Sequence, residues 1–175
     1  MLFRSRGPDW GSIWNALQIF GFDSGKINYL SLLGTLAILA WVAVYIFGLK
    51  STPTLAEISF IVFASALILG KVYSPQYVLW LTALAVIAIK TKPTLVIFWV
   101  WQLAELIYHV AIWQHLATIS EAHFGLSQSF YGAISLIRLA ASIAMIYSLT
   151  RQLSQARSAQ AKPWDFLFES ASTYP

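Results

Sequence analysis

Lys71 sits in a short polar turn, Gly70-Lys71-Val72-Tyr73-Ser74-Pro75-Gln76-Tyr77, between two apolar runs. An ammonium group set among membrane helices is expensive, so it usually has a partner or a task. Lys71 could pair with an anion. Ser74, Gln76 and the N–H groups that open the next helix could donate to the same anion, and that helix start carries partial positive charge. The plainer reading leaves Lys71 snorkelling to lipid headgroups, with Tyr73 and Tyr77 in an ordinary aromatic belt. Residue types alone weigh the two equally.

A second polar set falls later. Glu105 and His109 are four residues apart and share a helix face, which Gln102 joins; His115 lies elsewhere on the wheel. A Glu/His pair could be half of a metal site, or part of a proton path. The simpler expectation is an intramembrane pair between Glu105 and Arg138, because both are single charges inside apolar runs and pairing removes a large cost. No metal site is expected. No firm cofactor is called for; a divalent metal stays open, though the sequence does not indicate one. Near the N-terminus, Asp9 lies between Arg6 and Trp10. A carboxylate there is a weak candidate for a catalytic base; a structural ion pair or cap is the simpler role. Arg4 and Arg6 could meet a phosphate or anionic headgroups.

Composition sets the class that must position these groups. The chain has 175 residues, 58% hydrophobic and only 10% charged, with mean hydropathy +0.67. Soluble domains carry about 25% charged residues. A polytopic all-α membrane bundle fits instead. The net charge of +4 is scattered and gives no nucleic-acid signal. With no cysteine there is no disulfide framework, thiolate site or cysteine nucleophile.

The apolar runs divide into five spans. A turn cluster, Gly7 to Ser12, precedes a short helix Ile13 to Phe20 that Ser12 can cap; its Trp-bearing face suits the interface. Spans are expected at Asn28 to Leu49, Leu55 to Leu69, Val78 to Ile89, Thr94 to about Ala117 and about Ser127 to Leu149. Pro75 suits the first turn of the third, with Ser74 as its cap. The segments are 1–27 extracytoplasmic or interfacial, 28–149 the bundle, and 150–175 a polar, mobile cytoplasmic tail with an interfacial patch from Trp164 to Phe168.

Lys50, Lys90, Lys92, Arg151, Arg157 and Lys162 all fall on one side by alternation, which the positive-inside tendency makes cytoplasmic. The N-terminus and the Lys71 turn are then outside, along with Arg4, Arg6 and Lys26. An outside N-terminus needs a signal peptide or upstream spans. The chain is therefore expected to be the C-terminal part of a longer membrane protein; the alternative is a standalone five-span protein.

Two stretches carry a family resemblance: Arg6-Gly7-Pro8-Asp9-Trp10-Gly11-Ser12-Ile13-Trp14, and Lys71-Val72-Tyr73-Ser74-Pro75-Gln76-Tyr77-Val78-Leu79-Trp80-Leu81. In that order, with a helix pair between, they resemble the C-terminal half of bacterial integral-membrane glycosyltransferases of the GT-C type. The chain is most similar to family 87, the polyprenyl-phosphate-mannose-dependent mannosyltransferases and their uncharacterised relatives. The matching portion spans about residues 4 to 115; the remainder agrees only in being helical.

The resemblance implies inverting transfer of a sugar, mannose favoured, from a polyprenyl phosphate to an acceptor on the outer face of the bacterial plasma membrane. The base in such enzymes is a carboxylate in a first extracytoplasmic loop, which the resemblance implies would lie upstream of this chain. Alone it is expected to be inactive, with the missing N-terminal part of the same enzyme as a partner beside membrane lipids and the polyprenyl-phosphate donor. Here it would supply the donor-phosphate site: Lys71, Tyr73, Ser74, Gln76, Tyr77, Arg6 and Trp10. Tyr73 and Tyr77 could stack on a sugar. Trp10 and Trp14 could line an acceptor groove or anchor at the interface. The alternatives are a small transport or channel subunit using Glu105, His109 and Arg138, and a non-catalytic membrane protein.

Overall fold

The computed structural model describes residues 7–49, 52–122 and 124–160. Among these the chain is all helical: α1 (Ile13–Ile19), α2 (Ile27–Phe47), α3 (Leu55–Leu69), α4 (Gln76–Ala88), α5 (Lys92–Ile119) and α6 (Gln128–Gln160). A single 3-10 turn, Ser24–Lys26, leads into α2. Three helices are long and apolar enough to cross a membrane, at Ile27–Phe47, Lys92–Ile119 and Gln128–Gln155. Together with the composition they make this a helical membrane protein. Arg4, Arg6, Lys50, His123, Lys162 and the Trp164 to Phe168 patch lie outside the described residues.

Local chemistry sets the helix ends. Ser12 caps α1, accepting from the Asn15 N–H at 3.2 Å. Thr54 and Glu57 form a capping box that starts α3, and Gly70 closes it. Thr91 caps α5, with Pro93 in the first turn. The start of α4 differs from the expected Ser74 cap. Pro75 itself stands at the cap position in helical conformation, and no side chain caps the end. Its ring presets φ at −51°, so the helix starts without a hydroxyl.

The centre of the bundle is α3, which packs against α2, α4 and α6; α5 lies along α6, and α1 along the start of α6. A continuous core runs through α3, α4, α5 and α6, including Phe60, Ile61, Leu81, Trp101, Met145 and Leu149. At Gly132 of α6 a Cβ would come within 3.0 Å of both Ile19 and Phe20, so glycine admits the end of α1. Peripheral α2 buries only Ile27, Ser31 and Val42.

The two central helices stop short. α3 has 15 residues and α4 has 13, giving lengths of about 22 and 20 Å against a hydrocarbon core of about 30 Å. The space beyond their turn is filled by the N-terminal segment. Trp14 Nε1 and Ser31 Oγ both donate to the Leu69 carbonyl, at 2.8 and 2.9 Å. That takes one free carbonyl at the end of α3 and ties it to α1 and α2.

At the opposite end a polar staple joins three elements. Buried Glu57 accepts from Lys90 Nζ at 2.9 Å. Gln152 Nε2 donates to the Ala88 carbonyl at 3.0 Å and reaches Glu57 at 3.4 Å, while its Oε1 accepts from the Lys90 N–H at 2.9 Å. Tyr45 of α2 donates to the Thr150 carbonyl at 2.7 Å. These contacts hold α6 onto the bundle as far as Ser154, and the helix itself runs to Gln160, beyond the residue 150 at which a mobile tail is expected to begin. Thr150, Gln152 and Leu153 are buried.

Candidate functional site

Arg138 is fully buried on α6, about 15 Å along the helix from Gln128. Its Nε donates to Glu105 Oε2 at 2.7 Å. Nη1 reaches the carbonyls of Gly11, 3.3 Å away, and Tyr73, 3.4 Å away. The guanidinium lies between two rings, 3.9 Å from the centre of Tyr73 and 4.0 Å from that of Tyr108. Glu105 is satisfied in turn: Oε1 accepts from Tyr73 Oη at 3.3 Å and Trp101 Nε1 at 3.2 Å. Burial pushes the Tyr73 phenol up to about 12, so it stays protonated and can donate to the carboxylate. Among the described residues, Arg138 Nη2 has no partner.

This node joins the two stretches on which the family resemblance rests. The Asp9 N–H donates to the Lys71 carbonyl at 2.8 Å, and Gly11 lies against the Tyr73 carbonyl. Segments some sixty residues apart in sequence therefore form one layer, seated on Arg138. Gly11 is required by that closeness. A Cβ there would overlap the Tyr73 carbonyl oxygen and stand 2.7 Å from Arg138 Nη1 and 2.9 Å from Tyr108 Oη.

The candidate residues separate into different environments. Tyr73 is fully buried, its hydroxyl shared between Glu105 and Ser142. Lys71 is half-buried, and its Nζ donates to Asn28 Oδ1 at 2.6 Å. Ser74 and Tyr77 are half-buried, and Gln76 is exposed. Asp9 is half-buried, and its Oδ1 accepts from the Trp10 N–H at 3.0 Å, holding the turn into α1. Arg6 lies outside the described residues. Trp10 is 40% exposed, whereas Trp14 is buried.

Gln102 and His109 do not join the node. Gln102 Nε2 donates to Thr82 Oγ1 of α4 at 2.9 Å. His109 Nδ1 bonds the Glu105 backbone carbonyl at 2.7 Å, away from its carboxylate. Among the described residues no group of three His, Cys, Asp or Glu could hold a metal.

Sequence reasoning missed Gly11, Tyr108, Tyr131 and Ser142 as members of this arrangement. Tyr108 carried a usable signal, lying three residues from Glu105 and hence near it on the helix surface. Tyr131 Oη donates to the Trp10 carbonyl at 2.8 Å and pairs with Tyr108 Oη at 3.1 Å. Its role depends on the N-terminal segment folding back, which no local pattern announces.

Beside the Lys71 turn an apolar groove of about 540 Å³ opens between α3 and α4, lined by Phe63, Leu67, Tyr77, Trp80, Leu81 and Leu84. Comparison with known protein families, curated proteins and solved structures finds no match for this chain.

Proposed function

We propose that this chain forms the donor side of a bacterial plasma-membrane glycosyltransferase and holds a polyprenyl-phosphate sugar. The observation that carries this reading is the double position of Tyr77. It belongs to the polar turn that contains Lys71, Ser74 and Gln76, and it also lines the apolar groove. A phosphate head and an isoprenoid chain would meet at that residue. The groove's volume lies within the range of ligand pockets, roughly 300–1,000 Å³.

In this reading five helices cross the bilayer, α3 and α4 included, with the N-terminus outside and the C-terminus cytoplasmic. The α1 end then faces outward. When the sugar leaves, negative charge grows on the lipid phosphate. Lys71 stabilises that charge, with Ser74 and Gln76 as further donors and the partial positive charge at the start of α4 beside them. Mannose is the favoured sugar. Asp9 holds the turn rather than acting as base, because one of its oxygens is engaged by the Trp10 N–H.

The transport reading has less support. The groups of the node are spent mainly on one another, and buried Leu139, Met145 and Leu149 line α6 between Arg138 and Gln152. A water-filled polar track would need those positions to be polar.

Binding of polyprenyl phosphate to the chain in nanodiscs tests the assignment. Lys71→Ala is expected to weaken it at least tenfold, since a charge-assisted contact is worth about 1.5–3 kcal/mol. Unchanged affinity would sink the phosphate site.

A further inference from the structure

Two tryptophans flank the start of α1, and their surroundings differ. Trp14 is a structural residue: its ring is buried and its indole N–H is used on the Leu69 carbonyl. Trp10 has the reverse arrangement. Its backbone is held at every polar atom. The N–H donates to Asp9 Oδ1 at 3.0 Å, and the carbonyl accepts from Tyr131 Oη at 2.8 Å and Asn15 Nδ2 at 3.2 Å. Its side chain stays 40% exposed.

Among the described residues the one aromatic contact of the ring is edge-on. His115 lies 5.5 Å away at 71°, and is itself stacked on Tyr131 at 4.3 Å and 6°. A contact of that geometry occupies at most one face of the indole, and among the described residues its N–H has no hydrogen bond. The side chain is thus mounted rigidly, buttressed from one direction and presented outward. It also lies next to Asp9, whose N–H meets the Lys71 carbonyl. A membrane anchor needs no such fixing of its backbone; a recognition surface benefits, because ordering is complete before the ligand arrives.

We infer that Trp10 is a stacking platform for a pyranose ring, packing the ring's C–H face against the indole while the indole N–H donates to a sugar hydroxyl. This rests on the proposed glycosyltransferase role and deepens it by assigning the sugar contact. The pyranose could belong to the donor lipid or to a phosphate-free glycan acceptor.

The chain in nanodiscs is titrated with three probes: polyprenyl phosphate, its mannosyl ester, and methyl mannoside as the phosphate-free sugar. Trp10→Ala keeps every backbone hydrogen bond described above, so the fold is expected to survive, and Trp10→Phe retains an aromatic face as a check. For a donor sugar, the preference for mannosyl-phosphoryl-polyprenol over polyprenyl phosphate falls about tenfold in Trp10→Ala and is largely kept in Trp10→Phe. For an acceptor sugar, that preference is unchanged and methyl mannoside binding falls instead, by a similar factor. Loss in neither arm, or equal loss in the alanine and phenylalanine variants, overturns the platform. Failure of the unsubstituted chain to bind polyprenyl phosphate would refute the donor-site reading alone. The methyl mannoside arm would still judge Trp10: a fall upon its replacement by alanine supports the platform, and no fall rejects it.

Discussion

Replacing Gly11 with alanine is expected to cost about 3 kcal/mol, at the upper end of overpacking effects. It should loosen the N-terminal segment from the Lys71 turn. The cost arises because the new Cβ would meet a backbone carbonyl, that of Tyr73, as well as Arg138 and Tyr108. A flexible side chain could swing away; the carbonyl is held by its own turn. Retreat of Gly11 would stretch the contact of its carbonyl with Arg138 Nη1 and the nearby Asp9–Lys71 pairing. Hydrogen exchange over residues 7–20, with thermal unfolding in detergent, reads both effects. A variant within 0.5 kcal/mol of the parent chain, with unchanged protection, would show that the close approach is not required.

The second large effect belongs to the buried pair. Arg138→Ala or Glu105→Ala alone is expected to cost about 3–5 kcal/mol, because each leaves the opposite charge buried without its partner. Removing both should cost less than the sum, with a coupling of up to about 3 kcal/mol. Exchanging the two charges is expected to do better than either reversal alone and still fall below the parent. The shortfall has a specific source. Arg138 also donates to the carbonyls of Gly11 and Tyr73, and a carboxylate at position 138 would repel both. A double-mutant cycle on unfolding free energy measures this. Strict additivity of the two alanine variants would mean that the pair contributes nothing as a pair.

Part of this architecture is legible in the chain. The apolar run at Leu55–Leu69 matches α3, because Pro53 and Gly70 bound it on either side. Glu105 and Arg138 meet for a reason visible in sequence: each is an isolated charge in an apolar run, with no cheaper partner nearby. The extent of α6 was hidden because Thr150 and Gln152 look like the start of a polar tail. They are held by contacts to residues far back in the chain, Thr150 by Tyr45, 105 positions away, and Gln152 by Ala88 and Lys90, 64 and 62 positions away. The difference between Trp10 and Trp14 was equally hidden. The two have the same residue type within one short stretch, and only the folded-back segment decides which ring is buried. Gly11 was legible as part of a turn, but its close approach to Tyr73 and Arg138 depends on the tertiary fold. Asp9 and Lys71 meet through backbone atoms, which side-chain types do not reveal.

The most direct test of the account is to locate the lipid. A polyprenyl phosphate bearing a photoreactive group beside the phosphate is crosslinked to the chain in nanodiscs, and the labelled residues are identified by mass spectrometry. Labels are expected on residues 71–77 and on groove residues such as Trp80, suppressed by excess unlabelled polyprenyl phosphate and weakened in Lys71→Ala. Labels concentrated instead on the exposed face of α5, at Trp99 or Trp113, and insensitive to competitor, would contradict a lipid-phosphate site at this turn.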